Sequence, residues 1–472
     1  MKKLAFIIFI SIALIICFCA FIQGETTGNN EIGIWQGTLR VPGVELRVVF
    51  KISKDQDGKF TATLDSIDQG VKGIIVDTVS FDNGNAHFEV KSVNGSFDGK
   101  FKDNNTIEGE WKQNNVSLPL ALNRIEKEPE IQRPQEPTKP YPYLDEDVVY
   151  ENKSAGIKLA GTLTMPKSGG PFPAVLLISG SGPEDRNETV FGHRPFLVLA
   201  DYLTRQGVAV LRTDDRGVGG STGDFSKAIT DDFAGDAIAG VEYLKSRKEI
   251  NPKQIGLIGH SEGGMIAPIA ATQSPDVAFI VLMAGPGIIG EDLLYLQGSL
   301  IAKAMGKSDE DIAKNKAVTE RIFAVIKQED DKAVAEKKIR EIVENSTAGL
   351  SDAEKKTIMA SGESQLPFLL SPWFKNFLTY DPKPTLMKVK CPVLAINGEK
   401  DLQVPPKENL SAIEEALKAG GNKDYTIKEL PGLNHLFQTA QTGSPAEYAK
   451  IEETISPTAL KTISDWILEH VK

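Results

Sequence analysis

Residues 254–267 read QIGLIGHSEGGMIA, and this stretch decides the fold. Its apolar start predicts a buried strand, and the small residues after Gly263 predict a helix. Between them Gly259-His260-Ser261-Glu262-Gly263 fits the nucleophile elbow G-x-S-x-G. A tight strand-to-helix turn requires glycine on both sides, because a side chain there would collide with the turn or the next strand. The stretch therefore predicts Ser261 as a nucleophile that faces the positive end of the following helix.

Around this stretch, from residue 143 to residue 472, apolar strands alternate with amphipathic helices. That rhythm is typical of an α/β fold with a parallel sheet. A helical, charge-rich segment at about 288–380 interrupts it and ends in several aromatic residues. An insertion between two strands at the edge that carries the nucleophile is predicted to be a helical cap over the site.

The chain before residue 143 has a different sequence pattern. Residues 25–125 consist of short alternating segments separated by turn pairs such as Asn83-Gly84 and Asn94-Gly95, which predict a small all-β domain, either a barrel or a sandwich. Residues 126–142 are rich in proline and charge and predict an extended linker. We expect nothing catalytic in the β domain.

Residues 1–24 have a basic start, a long apolar run and Gly24 at a cleavage position, which predicts a secretory signal peptide. The alternative is an uncleaved membrane anchor, since the run approaches spanning length. Either way we expect a secreted protein or one of the periplasm or cell envelope, in contact with a membrane through this segment only. After cleavage Cys391 would be the one remaining cysteine, so no internal disulfide could form.

The 472 residues carry a net charge of −11, which argues against a nucleic-acid partner. The sequence does not define an oligomeric state.

A serine hydroxyl needs a base to remove its proton and a carboxylate to orient that base. The chain has five histidines, and His435 follows the last predicted strand, where this architecture places the base. The other four histidines are weaker candidates for the base because of where they lie: His87 in the β domain, His193 before a helix, His260 inside the elbow, and His470 at the C-terminus.

The orienting acid should lie between serine and histidine in chain order. Asp401 follows the penultimate strand and is our choice, with Glu399 as the nearest rival. The oxyanion hole should use the backbone N–H groups of Glu262 and Ser181. We interpret Arg216 and the aspartates beside it as a structural brace.

Taken together, these residues resemble the α/β-hydrolase superfamily and, within it, bacterial carboxylesterases of the EstD type. The resemblance covers about Tyr143–Lys472 and implies the hydrolysis of small esters with short or medium acyl chains, with neither a metal nor an organic cofactor. The chain has Ser179-Gly180 where many members of the superfamily have His-Gly. The matching pieces are Ser179–Glu188, Asp215–Gly219, Gly259–Gly264, Gly398–Asp401 and Asn434-His435.

The leading hypothesis is thus a serine carboxylesterase. A serine peptidase or a thioesterase would use the same scaffold, and both remain open. A protein of another class, a non-catalytic binder of carbohydrate or of the cell envelope that works through the β domain, is the third alternative.

Overall fold

The computed structural model describes residues 31–472 apart from 42–43, 68–70, 114–115 and 129–131. The chain divides into two compact units: the strands up to Gln132 form the first, and Arg133–Thr189 with His193–Lys472 form the second. The expected signal peptide lies outside the described residues. In the part of the chain that is described, no helix combines the length and the apolar character needed to span a bilayer.

Within its described residues the first unit is one antiparallel sheet of nine strands, in the order β4-β3-β2-β1-β9-β8-β7-β6-β5. Alternation explains the strands: on β6, Ala86, Phe88 and Val90 are buried while the residues between them face outward. The strands are β1 Gly33–Val41, β2 Val44–Lys54, β3 Phe60–Ser66, β4 Val71–Val76, β5 Thr78–Asp82, β6 Asn85–Val90, β7 Gly95–Asp103, β8 Thr106–Gln113 and β9 Val116–Ile125.

The sheet of the first unit curls so that its two ends approach each other. Its edge strands, β4 and β5, are consecutive in the chain and only Asp77 separates them. Phe60 on β3 and Phe81 on β5 have ring centroids 4.8 Å apart, although these strands lie near opposite ends of the strand order. The buried aromatic residues, Trp35 among them, form a single interior core.

The second unit contains, among the described residues, an eight-stranded sheet in the order β10-β11-β13-β12-β14-β15-β16-β17. The pairs β10–β11 and β11–β13 are antiparallel, and the remaining neighbours are parallel. Its strands are β10 Leu144–Asn152, β11 Ile157–Met165, β12 Phe172–Ile178, β13 Ala209–Thr213, β14 Ile250–His260, β15 Phe279–Met283, β16 Val393–Gly398 and β17 Tyr425–Leu430.

Helices cover both faces of this sheet, which explains why its central strands are continuously apolar. Leu176 and Leu257 face one side and belong to one core cluster, whereas Val175 and Ile258 face the other side and belong to the second. Burial of one such side chain stabilises the fold by about 1.5–3 kcal/mol. The flanking helices are α1 Pro195–Arg205, α2 Thr230–Ser246, α3 Gly263–Gln273, α10 Pro406–Ala419 and α11 Pro457–His470.

The predicted helical insertion is present between β15 and β16. Its helix α8 begins at Pro372, whose missing N–H is harmless in a first turn, and the Ser371 hydroxyl accepts a hydrogen bond from the Phe374 N–H. Helix α8 places Trp373 against the elbow, where its Nε1 atom lies 2.8 Å from the Glu262 carboxylate. The helices of the insertion are α4 Gly290–Ala304, α5 Asp309–Gln328, α6 Lys332–Ser346, α7 Asp352–Leu369, α8 Pro372–Thr379 and α9 Lys383–Leu386. The predicted fold class, an α/β-hydrolase sheet with a helical cap and a preceding all-β domain, is confirmed.

Candidate active site

Ser261 lies at a sharp turn between β14 and α3. Its φ of +53° is in the left-handed region, which residues other than glycine rarely adopt. A side chain on Gly259 would overlap the main chain of Gly263, and one on Gly263 would overlap the carbonyl oxygen of Ile178. The two glycines of the motif are therefore required by close backbone contacts. Gly259 allows the turn to close, and Gly263 allows the helix to approach strand β12.

Asp401 and His435 form a hydrogen-bonded pair. The Nδ1 atom of His435 lies 2.7 Å from Oδ2 of Asp401, and the aspartate side chain has no exposed surface. The other oxygen, Oδ1, accepts hydrogen bonds of 2.8 Å from the N–H groups of Gln403 and Val404. Asp401 is thus fixed by the main chain of its own loop and directs one oxygen at the imidazole. This is the geometry in which a carboxylate sets the tautomer and the orientation of a histidine base.

The loops that carry these residues meet because parallel strands end at the same edge of the sheet. Ser261 follows β14, Asp401 follows β16 and His435 follows β17. The Lys400 N–H donates to the carbonyl oxygen of Leu433 at 2.8 Å. A side chain on Gly398 would overlap that same carbonyl group, so glycine is needed where the two loops touch.

His435 also contacts the elbow. Its ring centroid is 4.8 Å from that of His260, the residue before the candidate nucleophile. Within the described residues the Ser261 hydroxyl makes no hydrogen bond to the imidazole. Such bonds are often long or misaligned in the absence of substrate and tighten in the complex.

The predicted oxyanion loop lies against the elbow. A Cβ atom on Gly180 would come 3.3 Å from Cβ of Ser261. The Gly180 N–H donates a 2.9 Å hydrogen bond to Oε1 of Glu188, so it is already used. Among the described residues no acceptor is found for the N–H groups of Ser181 and Glu262. These two are the donors that the sequence predicted for the oxyanion hole.

Asp215 holds the oxyanion loop from the other side. Its carboxylate accepts hydrogen bonds of 2.9 Å from the Ser179 hydroxyl and from the Glu184 N–H. Burial raises the pKa of Asp215 to about 8. Arg216 pairs at 2.7 Å with Asp236 of helix α2 and not with its neighbours in the chain. The segment is a brace, as we interpreted it, but the arginine and Asp215 brace different elements.

The sequence alone did not indicate a role for the Glu262 side chain. Its carboxylate, only 2% exposed, accepts hydrogen bonds of 2.8 and 2.9 Å from Nε1 of Trp373 in the cap. The Thr230 hydroxyl donates a third, of 2.9 Å. Burial raises the pKa of Glu262 to about 7, and these hydrogen bonds oppose that shift. The residue after the candidate nucleophile therefore joins the elbow to the cap.

A second pair that the sequence did not indicate is Glu188 with His260. Oε1 of Glu188 lies 2.8 Å from Nδ1 of His260, and both residues are buried. Nε2 of His260 lies 3.0 Å from the main-chain oxygen of His435. Glu188 belongs to the Ser179–Glu188 segment that carries part of the family resemblance, which was the one available signal.

Two other residues considered from the sequence, His193 as base and Glu399 as acid, hydrogen-bond to other parts of the chain. His193 is buried, and its ring nitrogens contact the Thr454 hydroxyl and the Tyr448 carbonyl. Glu399, the rival acid, accepts a hydrogen bond from the Gly432 N–H. In the described ranges, no cluster of three or more His, Cys, Asp or Glu side chains is arranged to hold a metal ion.

Comparison with known proteins finds several that are similar to this chain. The chain is 26% identical to Esterase EstD of Thermotoga maritima over 333 residues, which are 69% of each protein. It is also 26% identical over 281 residues to an uncharacterized 31.7 kDa protein of Escherichia coli, covering 58% of this chain and 86% of that one. A solved esterase of Pyrococcus furiosus is 18% identical with a TM-score of 0.42, covering 73% of this chain and 98% of that one.

The resemblance to bacterial esterases of the EstD type is thus confirmed by the sequence comparison. The family model described as X-Pro dipeptidyl-peptidase (S15 family) matches residues 155–429, more than half of the chain. This chain belongs to the X-Pro dipeptidyl-peptidase (S15) family.

Proposed function

We propose that the protein is a serine carboxylesterase that hydrolyses small carboxylic esters with short or medium acyl chains through an acyl-enzyme. One observation carries the proposal: a buried, hydrogen-bonded Asp401–His435 pair packs its imidazole against His260, the residue before a serine held at positive φ. The similarity to a protein named an esterase supports the ester as substrate.

In the first half of the reaction Ser261 Oγ attacks the ester carbonyl carbon while Nε2 of His435 takes the hydroxyl proton. Asp401 stabilises the imidazolium that forms. The negative charge on the carbonyl oxygen is met by the N–H groups of Glu262 and Ser181 and by the end of helix α3. Each such N–H donor contributes about 2.7–4 kcal/mol to the stabilisation of the transition state.

In the second half the imidazolium gives its proton to the departing alkoxide, which leaves as the alcohol. Water then attacks the acyl-enzyme, and His435 takes one of its protons. The carboxylic acid departs, and the proton returns to Ser261. No group other than these side chains and N–H donors is needed for this cycle.

Ser261→Ala tests the role of the serine. We expect kcat on p-nitrophenyl acetate to fall by about six orders of magnitude, as in other serine hydrolases that lose the nucleophile. A fluorophosphonate probe should label the wild-type protein and not the variant. Ser364→Ala is a matched control, because this exposed hydroxyl only donates to a carbonyl group within helix α7. A Ser261→Ala protein that still hydrolyses the ester would refute the proposal.

A serine peptidase is the second candidate, favoured by the description of the family that the chain matches. A thioesterase would use the same groups. Rates on an ester, an acyl thioester and an X-Pro anilide, measured side by side, separate the three. A series of p-nitrophenyl esters from acetate to laurate then defines the preferred acyl chain. A folded wild-type protein that is not labelled by fluorophosphonate would instead favour the non-catalytic binder.

We also propose export of the protein to the envelope or the medium, on the strength of the predicted signal peptide. N-terminal sequencing of the protein recovered outside the cytoplasm tests this. Cleavage near Gly24 is the expected result, whereas an intact N-terminus in the membrane fraction would indicate the uncleaved anchor.

A further inference from the structure

A second carboxylate–imidazole pair lies beneath the candidate active site. Glu188 is 4% exposed and His260 is 5% exposed, and their side chains are 2.8 Å apart. Neither takes part in the proton transfers described above. Burying charged groups costs free energy unless they are paired and hydrogen-bonded. We therefore expect a buried pair in this position to have a role.

The pair connects two loops that the reaction requires. Oε1 of Glu188 accepts the Gly180 N–H at 2.9 Å, which fixes the loop that offers the Ser181 N–H. The same oxygen contacts Nδ1 of His260. On the other side of the ring, Nε2 meets the carbonyl oxygen of His435 at 3.0 Å. One continuous chain of hydrogen bonds therefore runs from the oxyanion loop to the main chain of the base.

The two acceptors determine the protonation of His260. A carbonyl oxygen can only accept, so Nε2 must carry a proton. An ionised carboxylate also only accepts, so Nδ1 must carry a proton as well. Beside an ionised Glu188, a neutral imidazole has one N–H and would leave one of the two links unmade. Burial alone would lower the pKa of His260, but the charge and hydrogen bond of Glu188 outweigh it, and the pKa is raised.

The main chain at Glu188 is held in an unfavourable conformation. Its φ of +52° lies in the left-handed region, which costs a residue with a side chain roughly 1–2 kcal/mol. The Glu188 N–H donates to the carbonyl oxygen of Asp185 at 2.8 Å, closing a tight turn. Strain of this kind persists where the surroundings enforce it, and it gathers at functional sites.

We propose that Glu188 and the imidazolium of His260 are positioning residues, which keep the oxyanion loop and the loop of His435 in register on either side of Ser261. This inference rests on the proposed hydrolytic function. The pair acts through the Gly180 N–H and the His435 carbonyl group and touches no reacting atom.

Glu188→Gln tests the proposal. The amide oxygen can still accept from Gly180, but a neutral His260 then has one N–H for two acceptors. We expect kcat to fall about ten- to a hundredfold, less than the loss of an oxyanion donor itself, which is about 10²–10³. KM should stay within about twofold of wild type, because the substrate pocket is unchanged. Concentrations of active sites come from fluorophosphonate titration.

A double-mutant cycle with His260→Gln separates positioning from separate structural effects. If the two residues act as one bridge, the second substitution should lower kcat little further once the first is made. Asp424→Asn is the matched control, since it removes a carboxylate that faces His470 at 3.4 Å on the final helix. It should leave kcat unchanged.

Unaltered kcat in a folded Glu188→Gln enzyme overturns the proposal, and so do fully additive losses. Failure of the wild-type protein to hydrolyse esters or to be labelled would instead be a failure of the proposed function. Nitrogen-15 NMR of the five histidines in wild-type protein requires no variant to fold. Both ring nitrogens of His260 should be protonated at neutral pH, and a bare ring nitrogen there would contradict the charged bridge.

Discussion

The Nδ1 atom of His435 lies 2.7 Å from Oδ2 of Asp401, a carboxylate whose side chain is wholly buried. Because Oδ1 is occupied by two main-chain N–H groups, the aspartate cannot turn away from the ring. Nδ1 must then carry the proton, which leaves Nε2 free to accept one from a hydroxyl. The pair thus defines the direction in which the imidazole can act as a base.

Asp401→Asn should preserve the geometry of the Asp401–His435 pair but favour the opposite tautomer of the imidazole. The amide oxygen can accept from the main chain, and the amide N–H then faces Nδ1, which favours the tautomer with the proton on Nε2. We expect kcat on p-nitrophenyl acetate to fall by about 10⁴, as in serine proteases with this substitution. Stability should change little, as measured by urea denaturation.

Glu399→Gln is the control for that experiment. Its carboxylate accepts a hydrogen bond from the Gly432 N–H and does not contact His435. Activity near the wild-type level is expected. If the Asp401→Asn enzyme were more active than the Glu399→Gln enzyme, the assignment of the acid would have to be reversed.

Gly259→Ala should destabilise the elbow, because the new methyl group would overlap the main chain of Gly263. Overpacking of this kind costs about 1–3 kcal/mol in the free energy of unfolding. Gly235→Ala in helix α2 is the matched control, since the nearest atom to its Cβ is 3.7 Å away. That change should stabilise the protein by roughly 0.5–1 kcal/mol. Equal effects of the two substitutions in urea denaturation would show that the close contact at Gly259 is easily relieved.

The sequence predicted those parts of the site that depend on local chain geometry. Glycine spacing indicated the elbow at Ser261, and position after a strand indicated Asp401 and His435. It did not indicate the Glu188–His260 pair, whose members are 72 residues apart in the chain. Nor did it indicate that Glu262 binds Trp373, because that contact depends on how the cap packs. Contacts between elements that are distant in sequence require the tertiary structure.

Trp373→Phe should loosen the cap from the elbow. It removes the indole N–H that donates to Glu262 and keeps most of the aromatic packing, including the contact with Phe377 at a centroid distance of 5.2 Å. A hydrogen bond to a charged group is worth about 1.5–3 kcal/mol, and we expect a loss of that size in the free energy of unfolding. The pKa of Glu262, already raised by burial, should rise further because this bond lowers it.

Trp466→Phe provides the comparison, since its indole N–H donates to the neutral Thr426 hydroxyl at 3.2 Å. The expected loss is about 0.5–1.5 kcal/mol. Equal or reversed losses for the two tryptophans, measured by urea denaturation, would argue against a charged Glu262 acceptor.

Glu184→Gln should change how stability depends on pH. Burial, together with the charges of Glu188, Asp215 and Asp185, raises the pKa of Glu184 from 4.5 to about 9. A raised pKa in the folded state means that the folded protein holds the proton more tightly than the unfolded chain. Its contribution to stability is therefore fully present below pH 4.5 and is lost as the pH rises towards 9. Glutamine cannot ionise, so the variant should gain stability relative to wild type as the pH rises.

Urea denaturation at intervals between pH 5 and pH 9 measures this difference, and Glu354→Gln is a control of opposite sign. Hydrogen bonds from Ser351 lower the pKa of Glu354, so its contribution is lost only on acidification. Its stability difference from wild type should stay level over the range in which that of Glu184→Gln changes. A constant difference for Glu184→Gln as well would mean that the carboxyl group of Glu184 is solvated in the folded protein. Ionisation of this residue would then not be linked to folding.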